Sequence, residues 1–137
     1  MEVGNMADTG LNEEEFNKLV DLLDQNGIPY DRADDELIKR IHYPQHEKFV
    51  CSAVFGHGTY GSERGLIEIM GLLTPEEEAY CGGVMGGLTA EEVFKRIKIH
   101  YTLWEEANKR YIERMQEIKE RAKYLTDPPE PITKKGE

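Results

Sequence analysis

The chain has 137 residues, of which 39% are hydrophobic and 32% are charged, and its net charge is −10 at pH 7. This length suits one domain, and regularly recurring aliphatic and aromatic residues exclude a chain that is disordered throughout. No apolar run approaches the roughly 20 residues that cross a bilayer, which excludes a membrane-spanning protein. The acidic charge repels nucleic-acid phosphates, so direct nucleic-acid binding is not expected.

The termini and the cysteines indicate where the protein acts and where its domain lies. No apolar segment typical of a signal peptide opens the chain, and only two cysteines occur, Cys51 and Cys81. Both observations favour a cytoplasmic protein with reduced thiols. We expect a flexible tail at 1–10, a single domain over 11–126, and a disordered, proline-containing tail at 127–137.

The first predicted element is a helix over residues 12–26. Asn12 suits the N-cap, the glutamates that follow it suit the positive end of the helix dipole, and Gly27 suits the C-terminal end. Apolar residues at helical spacing form one face of this helix. They are Phe16, Leu19, Val20, Leu22 and Leu23.

The middle of the chain predicts an antiparallel sheet. Extended runs at 28–32 and 37–43 flank a hairpin turn, and residues 48–55 are β-branched and aromatic, which is typical of a strand. Residues 66–73 fit either a strand or a short helix, because periodicity does not separate the two at this length. Residues 80–87 fit either a loop or a weak strand.

The last predicted element is a long helix over residues 90–125. Thr89 and Glu92 have the spacing of a capping box, and no helix breaker follows until Asp127 and the prolines after it. The predicted fold class is therefore α+β: an N-terminal helix, a small antiparallel sheet of three to five strands, and a long C-terminal helix.

Apolar residues of the long helix from Ile97 to Leu125, with Ala122 among them, alternate at spacings of three and four, as in the seam of a coiled coil. We expect the first of them, Ile97, to pack on the sheet. The seam predicts a homo-oligomer; the alternative is that the helix folds back over its own sheet or first helix. One polar residue interrupts the seam, and a lone Asn at such a position commonly fixes register. The candidate oligomer seam consists of Tyr101, Trp104, Asn108, Tyr111, Met115 and Ile118.

The acidic charge is concentrated in residues 1–89, which contain 17 acidic and 6 basic residues, whereas residues 90–137 contain 10 and 11. Such a surface attracts basic grooves, including those of nucleic-acid enzymes, although it also serves solubility alone. We therefore predict a protein partner with a basic surface. The candidate acidic partner surface consists of Asp31, Asp34, Asp35, Glu36, Glu76, Glu77 and Glu78.

Residues 56–61 match the pattern G-x-G-x-x-G after a predicted strand. A dinucleotide-binding fold is excluded, because Gly65 and Gly71 interrupt the helix that the pattern should open, and because the position about 20 residues on, where a carboxylate should end a second strand, falls near Cys81 in a glycine-rich loop. Two interpretations stay open: a hairpin loop with glycines at positive φ, or a loop that binds phosphate. The candidate phosphate loop consists of Gly58, Gly61, Ser62 and Arg64.

The remaining reactive residues predict no catalytic residue, no metal and no cofactor. Pro44 separates His42 from His46, so these two cannot form a helical pair, and the chain has no C-x-x-C motif. We interpret the four histidines, which include His57 and His100, as scattered surface residues. Cys51 lies in the middle of a predicted strand, where a thiol is buried and inert.

Two segments resemble small acidic proteins of phages and prophages of Gram-positive bacteria. They are residues 65–74 (GLIEIMGLLT) and 87–97 (GLTAEEVFKRI), and the region of similarity that contains them, residues 60–97, is about a quarter of the chain. The resemblance implies a setting in which such proteins inhibit host defence, including anti-CRISPR proteins that block the nucleic-acid channel of a nuclease. It implies action in the host cell cytoplasm, and it transfers no functional residue.

Three functions are compatible with these patterns. The first is a non-catalytic, phage-encoded inhibitor that binds a basic surface of a CRISPR effector nuclease, either by phosphate mimicry or through its helix. The second is a nucleotide or small-molecule sponge that uses the loop at 56–65. The third is a structural or regulatory phage protein that assembles through its long helix.

Overall fold

The computed structural model describes residues 9–126. The two predicted tails, at 1–10 and 127–137, lie almost wholly outside these residues. The chain divides into two compact units, Met1–Tyr101 and Thr102–Glu137, which we call the N-terminal unit and the C-terminal unit. The boundary falls inside the last helix, within the segment that the sequence predicts as a single domain.

The predicted α+β class is confirmed, with a helix at the start, a five-stranded antiparallel sheet and a long helix at the end. The elements in chain order are α1 (Glu14–Gln25), β1 (Asp31–Arg32), β2 (Ile38–Tyr43), β3 (Cys51–Gly56), β4 (Ile67–Met70), α2 (Pro75–Cys81), β5 (Val84–Leu88) and α3 (Ala90–Thr126). A single 3-10 turn, Ser62–Arg64, lies between β3 and β4.

The sheet is a meander in which each strand pairs with its chain neighbour, in the order β1-β2-β3-β4-β5. All four pairings are antiparallel, with Tyr43 opposite Cys51 and Ala53 opposite Ile69. Because side chains alternate along a strand, one face of this sheet is apolar. That face packs with α1 and the first turns of α3 into one core. The core consists of Phe16, Leu19, Leu23, Ile28, Ile41, Tyr43, Cys51, Ala53, Phe55, Ile67, Ile69, Leu88, Ala90, Val93 and Ile97.

Each of the two ambiguous segments contains a strand. Residues 66–73 contain β4, which ends before Gly71; this glycine has φ +98° and contacts the backbone of Val50 so closely that a Cβ would clash. Residues 80–87 contain most of β5, whose Gly86 lies against Tyr60 with no room for a side chain. Pairing of β4 with β3 and of β5 with β4 decided both assignments, and local periodicity carries no information about such pairing.

The ends of the helices follow local capping rules. Thr74 and Glu77 form a capping box at α2. Thr89 and Glu92 form another at α3, where the Thr89 amide donates to the Glu92 carboxylate at 2.8 Å and the Glu92 amide donates to the Thr89 hydroxyl at 3.2 Å. The α1 N-cap is Glu13, one residue later than predicted. The 37 residues of α3 are helical throughout.

Candidate functional site

The C-terminal unit presents an exposed apolar stripe on α3. The side chains of Trp104, Tyr111 and Met115 are 52%, 63% and 43% exposed, and Ile118 and Leu125 are exposed as well. Asn108 lies among them and is partly buried. We call this set the α3 stripe. A row of large apolar side chains in contact with water is the usual mark of an interaction surface.

The predicted seam is longer than the exposed stripe. Ile97 is fully buried in the core, and Tyr101 packs against the core as a partly buried side chain. Both residues belong to the N-terminal unit. The structure therefore assigns the first part of the heptad pattern to the protein's own core, and leaves the part from Trp104 onward exposed.

Charged residues surround the α3 stripe with both signs. Residues 102–126 contain five acidic and six basic residues, so the net charge of this segment is +1. Ile112 is also apolar and 47% exposed, and it lines an open groove with Tyr111, Met115 and Ile118. Ile112 therefore makes the exposed apolar surface wider than the seam positions alone in the middle of the C-terminal unit.

The structure places the seven candidate acidic residues in two separate groups. Asp31 to Glu36 lie in β1 and in the turn before β2, whereas Glu76 to Glu78 lie in α2, which contacts β5. Because β1 and β5 are opposite edges of the sheet, the seven carboxylates do not form one surface patch. The sequence contained no signal for this separation, since strand order is a tertiary property.

Two of these seven carboxylates stabilise the fold directly. The Asp34 side chain is only 4% exposed; its carboxylate accepts two hydrogen bonds from Arg32 at 3.1 and 2.7 Å, and another from the Arg40 amide. The Glu77 carboxylate accepts two hydrogen bonds from the Arg96 guanidinium, at 2.8 and 2.7 Å, and this pairing lowers the pKa of Glu77 to about 2. Their charges are largely neutralised by these partners.

The other members of the acidic set are more accessible. Glu36, Glu76 and Glu78 are exposed. Asp31 is exposed too, although its carboxylate accepts a hydrogen bond from the His46 amide at 2.8 Å. Asp35 caps the turn by accepting from two backbone amides. The N-terminal unit, counted over residues 9–101, has 17 acidic and 9 basic residues and thus a net charge of −8.

The candidate phosphate loop is bonded mainly to itself. The amides of Ser62 and Arg64 donate to carbonyl oxygens of the same loop, at 3.3 and 3.0 Å. The Tyr60 amide already donates to a carboxylate, that of Glu68, at 2.7 Å. Gly58 and Gly61 have φ of +88° and +90°, the conformation expected of glycines in a hairpin loop. This bonding favours a structural role for the loop.

His42 and His46 form a cluster that the sequence did not reveal. Their Nδ1 atoms lie 2.8 Å apart, and the His42 ring stacks on Phe49 at 4.2 Å. His42 is buried, so the interpretation of scattered surface histidines is wrong for this residue. The turn after β2 returns His46 to the strand end, which sequence spacing alone does not predict. Burial lowers the pKa of His42, and the nearby His46 and Arg40 lower it further, whereas Asp31 opposes them.

The cysteine that the sequence places in a strand is buried as expected. Cys51 lies in β3, and burial raises the pKa of its thiol to about 12. A thiol with this pKa remains protonated at neutral pH, which disfavours nucleophilic chemistry. The neighbouring Tyr43 hydroxyl lies 2.7 Å from His100 Nδ1. Burial raises the pKa of Tyr43 to about 12, which favours its protonated, donating form.

Within residues 9–126, no cluster of three or more His, Cys, Asp or Glu side chains is arranged to hold a metal ion. The same part of the chain contains no helix that is both long and apolar enough to span a membrane. Comparison with known proteins gives no match, whether to a family model, to a curated protein or to a solved structure.

Proposed function

We propose that the protein is a non-catalytic binding protein that assembles with a second copy of itself through the α3 stripe. The observation that carries the proposal is the exposure of Trp104, Tyr111 and Met115, at seam spacing, on one face of a continuous helix. Burial of apolar area drives association, and a seam of this kind is buried when two helices pack. Assembly also agrees with the third function compatible with the sequence, a structural or regulatory role.

Sedimentation velocity tests this proposal directly. At tens of micromolar protein we expect a species of twice the chain mass of 15.7 kDa. Dilution should return it to monomer, and the emission of Trp104, the only tryptophan, should shift to longer wavelength as the indole enters water. A compact monomer at every concentration, with emission that does not change, would contradict assembly through α3.

A second function is favoured by the charge of the N-terminal unit. A net charge of −8 over residues 9–101 attracts a partner with a basic groove and speeds its association at low salt. We propose as its target a nucleic-acid enzyme, with a type II CRISPR effector nuclease as the first candidate. The phage setting and action in the host cytoplasm come from the sequence resemblance alone. The two functions are compatible, because they use different units of the chain.

Charge reversal on the two units separates this second function from a nonspecific effect of net charge. Changing Glu36, Glu76 and Glu78 to Lys should slow association with the nuclease about tenfold or more at low salt. Asp34 and Glu77 stay unchanged, because their ion pairs stabilise the fold. The control variant makes the same change of net charge on the outer side of α3 by reversing Glu106, Glu113 and Glu117, and its association should slow less than threefold.

The measurement is association by surface plasmon resonance at 50 and 150 mM salt, with a cleavage assay in parallel. We expect association of the unaltered protein to slow as salt rises, because salt screens the attraction between exposed charges. Bound protein should compete with the DNA substrate. Equal losses in the two charge-reversed variants, or a nuclease that still binds DNA in the complex, would contradict inhibition through the acidic unit.

A further inference from the structure

The side chains that flank the α3 stripe carry information about the direction of the second helix. In the heptad pattern, the residues just after Trp104, Tyr111 and Ile118 flank one side of the seam. They are Glu105, Ile112 and Lys119. The residues just before Asn108, Met115 and Ala122 flank the other side. They are Ala107, Arg114 and Arg121. Flanking charges of this kind set the orientation of paired helices.

A parallel pair of α3 helices brings like charges together. In that orientation a residue on one side of the seam faces the residue five positions later on the second copy. Arg114 then faces Lys119 of the second copy, and symmetry repeats this contact. Two contacts between like charges beside an apolar seam disfavour the parallel arrangement.

An antiparallel pair brings opposite charges together. When Tyr111 faces Met115 of the second copy, Glu105 lies beside Lys119 of that copy, and symmetry repeats this attraction. Ile112 then lies beside its own counterpart close to the two-fold axis, where its exposed apolar surface is buried. One contact between like charges remains, between the two copies of Arg114. The antiparallel pair therefore has two attractive contacts and one repulsive contact, whereas the parallel pair has two repulsive contacts. The charges favour the antiparallel pair.

The sizes of the seam residues favour the same arrangement. In the antiparallel register Trp104, the largest seam residue, faces Ala122, the smallest. A parallel pair would layer Trp104 on Trp104 and Ala122 on Ala122, which overfills one layer and underfills the other. Asn108 alone favours the parallel pair, because its two copies could then bond to each other. The hydrogen bond between the two Asn108 side chains is outweighed by the charge pattern and the packing, which both favour the antiparallel pair.

We propose that two copies of the protein pair through α3 in antiparallel orientation, with Tyr111 against Met115 and the two-fold axis beside residue 113. This inference rests on the proposed self-association and specifies its partner and geometry: a second copy of this chain, running in the opposite direction.

Distances between spin labels test the orientation. Single cysteines replace Glu106, Glu113 or Glu120 on the outer face of α3, each with Cys81→Ser so that only buried Cys51 remains. In the antiparallel pair, labels at 106 and 120 are offset along the axis by about 21 Å, whereas labels at 113 are not offset. The distance at 113 should therefore be the shortest of the three. Three equal distances would overturn the antiparallel arrangement.

A charge reversal provides an independent test, because it should change the affinity of the dimer in opposite directions for the two orientations. Lys119→Glu should weaken the antiparallel dimer about tenfold, because two attractions become repulsions, and adding Glu105→Lys should restore the affinity. In a parallel dimer, Lys119→Glu would instead face Arg114 and strengthen association. Lys109→Glu, the same charge change on the outer face, is the matched control and should have little effect.

Sedimentation of the same variants distinguishes the two possible failures. If every variant and the unaltered protein are monomeric, self-association through α3 is wrong, and the orientation is overturned with it. If the protein is a dimer but the three label distances are equal, or if Lys119→Glu tightens the dimer, only the antiparallel arrangement is overturned. A short distance at 113 together with restoration by the double exchange supports both.

Discussion

Met115→Glu should convert the assembled protein into a monomer by weakening self-association about a thousandfold. Each dimer would lose the burial of two half-exposed methionine side chains, each contributing about 1 kcal/mol, and would place two carboxylates in an apolar seam at a cost of about 1 kcal/mol or more each. Met115 is 43% exposed in the single chain, so the substitution should leave the fold of the monomer intact. Sedimentation and the emission of Trp104 both report the change.

Gln116→Glu provides the matched control for this substitution. It adds the same charge one residue away, on an exposed position beside the stripe, and should change the dissociation constant less than threefold. Equal effects of the two variants would mean that net charge and not the α3 stripe controls association. Far-ultraviolet circular dichroism on both variants shows whether the helical content is retained.

Glu13→Ala should destabilise the fold by about 3 kcal/mol, the second large effect that we expect. The Lys39 side chain is only 2% exposed, and its Nζ lies 2.9 Å from Glu13 Oε1 and 3.3 Å from Asn17 Oδ1. Removal of the carboxylate leaves a buried ammonium group with an amide oxygen as its remaining acceptor. Urea denaturation measures the loss.

The effects of changing each partner of this pair should be unequal. Lys39→Met replaces a buried charge with an apolar side chain of similar length and leaves Glu13 partly exposed, so it should cost less than about 1 kcal/mol. In a Lys39→Met background, Glu13→Ala should lose most of its effect, since no buried charge remains. Glu14→Ala, at an exposed neighbouring position of α1, is the control. Equal losses from the two single changes would contradict a buried ion pair.

The pH dependence of stability follows from the same pair. Burial raises the pKa of Glu13, but hydrogen bonds from Lys39 and Thr9 outweigh it, and the net pKa is lowered. A carboxyl with a lowered folded pKa contributes stability that is fully present above its unfolded pKa of about 4.3. That contribution is lost as pH falls through the folded pKa. Urea midpoints between pH 6 and 3 should therefore fall less in Glu13→Ala than in the unaltered protein.

Local rules predicted the helices of this protein well, because their signals lie within one or two turns of the chain. The capping box at Thr89 and Glu92 and the absence of breakers before Asp127 were sufficient for α3. The hairpin between β1 and β2 and the strand character of β3 were likewise readable from composition. The sequence predicts a loop at 56–65, but the hydrogen-bond partners of its amides are set by the folded chain.

Local sequence patterns do not predict contacts between distant segments of the chain. Nothing in the sequence distinguishes Lys39 from a surface lysine. In the structure its side chain is buried and pairs with Glu13, which precedes α1. His42 appears isolated from His46 until the turn after β2 brings their rings together. The acidic residues appear as one set, yet the order of the strands places them at opposite edges of the sheet.

The sequence by itself determined the α+β class, the extent of α3 and the heptad spacing of its apolar residues, since these depend on local propensity and on the helical repeat. Only the tertiary structure decided which part of that spacing serves the core. Tyr101, a residue of the candidate seam, packs against the core, whereas Trp104 and Met115 remain exposed. A heptad pattern specifies which side chains share a face, and the packing of the other elements decides where that face is covered.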